Sequence, residues 1–152
     1  MQSKQDKHSL EELRMIYESN SAQETFDFGA ELGRKAVPGQ IICLDGDLGT
    51  GKTVLTKGIA AGLGIDEPVV SPTFTIVQIY EQGRLPLYHF DVYRIDDPDE
   101  MEEIGYREYF YGSGLTIIEW SELIADILPK DAMRIKIYKD PAKGFDYRRI
   151  EY

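Results

Sequence analysis

Gly46-Asp47-Leu48-Gly49-Thr50-Gly51-Lys52-Thr53 fills the pattern G-x-x-x-x-G-K-[ST] without a mismatch. The chemistry such a stretch can do is to hold a polyphosphate. Its glycines let successive backbone N–H groups turn toward one point, and a helix opening at its end adds the positive end of a dipole. Lys52 would reach the β- and γ-phosphates of a nucleotide and the Thr53 hydroxyl would ligate Mg2+. Leu48, Gly49, Thr50, Gly51 and Val54 would complete the cradle. Glycines before a helix also serve plain tight turns. Here Gln40-Ile41-Ile42-Cys43-Leu44-Asp45 precedes the pattern as a buried strand, and Val54 to Leu63 can follow it as a helix, so the nucleotide reading is the stronger.

Hydrolysis of a bound triphosphate needs Mg2+ across the β- and γ-phosphates, a carboxylate to support it, and a group that orients the attacking water. Asp91 and Glu119 qualify. Each closes an apolar strand, Leu87-Tyr88-His89-Phe90 and Leu115-Thr116-Ile117-Ile118, and ligands of open α/β sheets lie beyond the carboxyl ends of parallel strands. Both are candidates for metal support and catalysis, with Lys52 as the third catalytic residue. Either carboxylate could instead be a solvated strand end, and the Asp91 strand could run in a separate hairpin layer. Ser71-Pro72-Thr73 is either an ST-turn or a switch segment whose hydroxyls sense the γ-phosphate. His89 reads as a packed or hydrogen-bonded strand residue rather than a base. Trp120 can be core, pocket cover or partner anchor, with core the simplest reading.

These side chains need a frame. Leu13, Met15 and Tyr17 alternate as a first strand between Leu10 and Glu18. Ser21 with Glu24 forms a capping box for a helix from Ala22 to Ala36. Thr75 to Tyr80 and Leu85 to Val92 read as strands joined at Glu81-Gln82-Gly83-Arg84 into a hairpin. The acidic run Asp96 to Glu103 reads as a helix N-terminus. Ser121 to Leu128 makes a short helix, Met133 to Tyr138 a late strand, and Tyr147 to Tyr152 a final hairpin strand. The fold expected is α/β, of the P-loop nucleotide-hydrolase type: a mixed sheet, parallel around the phosphate loop, with antiparallel hairpin edges and flanking helices.

With 152 residues, one domain over residues 10–152 with a disordered extension 1–9 is expected. The net charge of -10 and pI near 4.7 argue against a surface that grips tRNA or DNA by itself, since that affinity comes from Lys and Arg. Cys43 is the only cysteine, which excludes an intrachain disulfide and fits a reducing cytoplasm. No run approaches the ~18 apolar residues of a membrane span, and the polar N-terminus lacks a signal-peptide core. A cytoplasmic protein is expected.

The phosphate loop, then Ser71-Pro72-Thr73-Phe74-Thr75, then His89-Phe90-Asp91-Val92-Tyr93-Arg94, then Ile118-Glu119-Trp120, in this order and spacing, resemble the bacterial TsaE (YjeE) family. The stretch Gly105 to Phe110 is similar to the family as well, and the resemblance covers Ser19 to Tyr152. It implies a small ATPase, weak alone, that works with TsaB and TsaD in making threonylcarbamoyladenosine in tRNA and resets that complex between turnovers. The tRNA would be held by the partners. It further implies that Lys52 and the loop amides hold ATP phosphates, Thr53 and Glu119 serve Mg2+, Asp91 supports metal or water, Ser71 to Phe74 switch, and Trp120 lies near the site. Val54 stands where many relatives carry a second Thr, and Ser121 where Pro is common, which loosens that turn. Ser21 to Thr25 and Lys143 are candidates for the adenine pocket. A small-molecule kinase and a nucleotide-switched binding module are the competing readings; the chain offers no evident arginine-rich lid for the former.

Overall fold

Strand alternation decides which side chains can meet the phosphate loop. The computed structural model describes residues 14–47 and 49–152. The expected extension 1–9, the start of the first expected strand and Leu48 lie outside the described residues. Seven strands form one sheet in the order β1-β7-β6-β2-β5-β4-β3. They are β1 (Ile16–Ser19), β2 (Ile41–Asp45), β3 (Val77–Tyr80), β4 (Leu87–Asp91), β5 (Leu115–Glu119), β6 (Met133–Lys139) and β7 (Arg148–Glu151). β6, β2, β5 and β4 run parallel, and β3, β7 and β1 add antiparallel edges. This is the mixed sheet the sequence leads one to expect.

On β2, Ile42 and Leu44 face one way and Ile41 and Cys43 the other, all buried. The first pair packs with Leu87, Leu115, Ile117, Ile135 and Ile137 under two helices, α1 (Ala22–Lys35) and α2 (Lys52–Gly62). The second pair packs with Phe90 and Ile118 under α3 (Asp99–Ile104), α4 (Tyr106–Phe110) and a 3-10 helix over Ser121–Ile127. Burial raises the Cys43 thiol above its ordinary range, so it behaves as a small hydrophobe. By the same period of two, His89 and Asp91 fall on the α2 side with Leu87, and Glu119 with Ile117.

Local signals set most boundaries. Ser21 Oγ accepts the Glu24 N–H at 3.0 Å, half of the expected capping box, and the Glu24 carboxylate reaches one residue further back to accept the Asn20 N–H at 2.8 Å. Some boundaries depart from expectation. β3 starts at Val77 rather than Thr75 because Ile76, at φ 68°, turns the chain there. The helix in the acidic run starts at Asp99, where the Asp97 carboxylate accepts the Asp99 N–H at 3.0 Å. The segment after Trp120 winds as 3-10, broken by non-helical dihedrals at Ile124.

α1 and α2 touch through glycine. A Cβ at Gly58 would fall on the Phe26 carbonyl oxygen, one at Gly62 on that of Ala30, one at Gly29 on that of Leu55, and one at Gly33 on that of Ile59. Gly58→Ala gains up to ~1 kcal/mol of helix propensity. It also forces two backbones apart, an overpacking cost of about 1–3 kcal/mol, and the atom in the way is backbone that cannot swing aside. The clash wins. A thermal melt is expected to show Gly58→Ala several degrees below the wild type, with Lys57→Ala, on the same helix, close to it.

Candidate functional site

The phosphate loop takes its shape from backbone. Gly49 and Gly51 sit at φ 76° and 101°, in the left-handed region that favours glycine. Thr50 N–H and Oγ both donate to the Asp47 carbonyl, at 3.3 and 2.8 Å, so this buried threonine closes the loop on itself. Gly51 is the N-cap of α2 and has no side chain to offer, which leaves the first N–H groups of that helix without intrahelical acceptors. α2 opens two residues earlier than the sequence reading has it, at Lys52, so Lys52 and Thr53 lie in its first turn.

One cavity of about 380 Å3 is lined by Gly49, Gly51, Lys52, Thr53, Val54, Ser71, Thr73, Asp91, Glu119, Trp120 and Arg148. Ten of these eleven are residues the sequence singles out. Thr50 instead faces a neighbouring groove of about 770 Å3, shared with Asp45, Asp47, Trp120, Glu122 and the outer side chains of β6. The carboxylates come together because β4 and β5 are parallel neighbours with Asp91 directly opposite Glu119. This settles the layer question: the Asp91 strand belongs to the loop's own sheet.

Each group is held. Asp91 accepts the Tyr93 N–H at 3.0 Å on one oxygen and faces the Thr73 hydroxyl at 3.5 Å on the other, and Thr73 lies 2.9 Å from the Ser71 hydroxyl. Glu119 meets His89 Nε2 at 2.8 Å. The Lys52 ammonium is buried with no hydrogen-bond partner among the described residues, and stands 4.1 Å from the centre of the Trp120 ring. Trp120 itself is half-buried, at φ 62°, a strained conformation for an L-residue. It faces the cavity and packs on Tyr93 at a tilt of 50° with centroids 4.9 Å apart, so core packing is only part of its setting.

Sequence reasoning missed three supports. Arg148, on β7, donates from Nε to the Thr50 carbonyl at 2.6 Å and from its other nitrogens to the carbonyls of Phe145 and Tyr147, with Gly49 O at 3.5 Å. It ties the loop to the far end of the chain. Ser121 is wholly buried; its N–H and hydroxyl hold both oxygens of Asp45, at 2.9 and 2.6 Å, so it fastens the turn after Trp120 to the strand entering the loop. That corrects the expectation of a loosened turn. Burial and the neighbouring Asp45 push the Glu122 carboxyl above its usual range on the same side. His89 is the third, as a partner of Glu119. Of the adenine candidates, Ala22 and Thr25 line a small recess with Gly51, Val54, Asp146 and Arg148. Lys143 instead pairs with Glu18 at 3.5 Å.

A parallel-centred α/β sheet, with a glycine loop between its central strand and a helix and two carboxylates on the adjoining strand ends, defines the P-loop class. Within that class, a family model described as threonylcarbamoyl adenosine biosynthesis protein TsaE matches residues 19–150. The chain belongs to the TsaE family. It is 50% identical over 117 residues to the tRNA threonylcarbamoyladenosine biosynthesis protein TsaE of Bacillus subtilis, covering 77% of this chain and 71% of that protein. It is 44% identical over 119 residues to the protein of the same name from Treponema pallidum, covering 78% and 87%. The crystal structure of Bacillus subtilis YdiB superimposes with a TM-score of 0.78 at 39% identity, over 91% of this chain and 83% of that one.

Proposed function

We propose that residues 10–152 form one Mg2+-dependent ATPase domain acting in the cytoplasm. It serves the machinery that makes threonylcarbamoyladenosine in tRNA, with TsaB- and TsaD-type proteins as partners. The carrying observation is the convergence in one cavity of the glycine loop, the Lys52 ammonium that has no hydrogen-bond partner among the described residues, the Ser71 and Thr73 side chains and the paired Asp91 and Glu119. A buried ammonium without a hydrogen bond is costly in a protein. An incoming triphosphate supplies the acceptors it lacks.

The donor set fits Mg2+. No group of three or more His, Cys, Asp or Glu side chains forms a metal cage among the described residues. Mg2+ in nucleotide sites is held by one or two carboxylates with phosphates and water rather than by an all-protein cage. Thr53, Glu119 and Asp91 would hold it here, and when bound it supplies neutralisation of the charge that builds on the phosphates. Lys52 draws the β- and γ-phosphates into the loop. Glu119 orients the attacking water, and Asp91, tied to Thr73, links the γ-phosphate end of the site to the Ser71–Phe74 loop. That loop carries Phe74, 81% exposed, beneath Arg94, where a partner can read its position.

No helix among the described residues is long and apolar enough to cross a membrane. The acidic surface leaves tRNA to the partner proteins. The test is phosphate release from Mg-ATP by the purified chain, alone and with TsaB and TsaD proteins from the same source. Slow release that the partners strongly stimulate is expected. Absence of stimulation, with ATP consumed only when a small hydroxyl acceptor is added, would move the assignment to a kinase.

A further inference from the structure

We infer that His89 is a positioning residue that presents Glu119 to the metal and the attacking water, a role that rests on the nucleotide-site reading above. The two side chains are only 2% and 8% exposed and meet through Nε2 and Oε2 at 2.8 Å. His89 stands on β4 opposite Ile117, two residues before Asp91, so its ring reaches diagonally across the sheet to the last residue of β5. Nδ1 of the same ring is buried without a partner among the described residues.

That asymmetry places the proton. A buried N–H with no acceptor forfeits its full solvation, and orphaned donors are rarer in proteins than under-satisfied acceptors. The tautomer protonated at Nδ1 would bury such a donor. A neutral ring protonated at Nε2 does not, and it gives the Glu119 carboxylate a charge-assisted hydrogen bond. The bond engages Oε2 and fixes the carboxylate plane, leaving Oε1 as the oxygen for the cavity.

His89→Leu fills the space without a donor, and His89→Gln restores an N–H toward Glu119. Partners that orient metal-binding side chains typically contribute about 10–100-fold. For His89→Leu, kcat for Mg-ATP is expected to fall by about that factor. Its KM for ATP should stay within about threefold, and its half-saturating Mg2+ concentration should rise. His89→Gln should recover most of both losses. The chain has only two histidines, His8 and His89, so nitrogen NMR of the histidine-labelled full chain, assigned with the Leu variant, reads the tautomer directly. An Nε2–H ring at His89 in the nucleotide-free protein is expected. An Nδ1–H ring, a folded His89→Leu with wild-type kcat and Mg2+ dependence, or a His89→Gln no better than Leu would each overturn the inference. If the wild type itself showed no Mg2+-dependent nucleotide binding, the site reading would fall, and this role with it.

Discussion

Lys52→Met is expected to make the nucleotide-free protein more stable and nearly blind to nucleotide. Lys52 is 6% exposed, and its ammonium is buried with no hydrogen-bond partner among the described residues. Burying an ion costs several kcal/mol, of which its place over Trp120 returns at most about 2 kcal/mol as a cation–π contact. Methionine keeps the length and the indole contact without the charge. A net gain near 1 kcal/mol raises Tm by about 2–4 °C for a domain of this size. On the proposed reading the same change removes the charge-assisted bonds of Lys52 to two phosphate groups, each worth about 1.5–3 kcal/mol, so the Kd for Mg-ATP should rise at least about 100-fold. Because Trp120 is the only tryptophan and lies against Lys52, its fluorescence follows both the titration and the melt. A variant that loses stability while keeping its affinity would show that Lys52 is structural and that the phosphates are held elsewhere.

Glu119→Gln separates binding from turnover. The amide oxygen can still accept from His89 Nε2, so the side chain keeps its place between β5 and β4. What disappears is the negative charge. Groups that orient or deprotonate the attacking water contribute about 100–10,000-fold. Partner-stimulated phosphate release is therefore expected to fall by at least about two orders of magnitude. ATP binding measured without Mg2+ should be unchanged or tighter, since a carboxylate facing the phosphates has been neutralised. Release at the wild-type rate would remove Glu119 from the reaction.

What the sequence could and could not disclose follows from range. The phosphate loop is contiguous, so the residues themselves carry its pattern and its setting between strand and helix. Asp91 and Glu119 were legible as strand ends, because an apolar run stopping at a carboxylate is a local signal. That they face each other was not, since the pairing of β4 with β5 is a tertiary fact and the pattern left a separate hairpin layer open for the Asp91 strand. Ser121 shows the limit sharply. Read along the chain it only replaces a proline, yet its hydroxyl and N–H hold Asp45, 76 residues earlier. His89 looked like a strand residue and is one; its second function depends on a neighbour 30 positions away. The departures at Ile76 and Ile124 are backbone dihedrals that apolar side chains do not announce.

Arg148 follows Thr50 by 98 positions, and this gives the site a history in time. A ribosome adding about 5–20 residues per second needs about 5–20 s to cover that distance. During that interval the residues of the loop are already joined. The guanidinium that braces its carbonyls, and the strand that closes β1 against β6, have yet to be made. A nascent chain that has not reached Arg148 carries the motif without this brace. The brace on the loop's carbonyls is thus among the later parts of the described fold to be made.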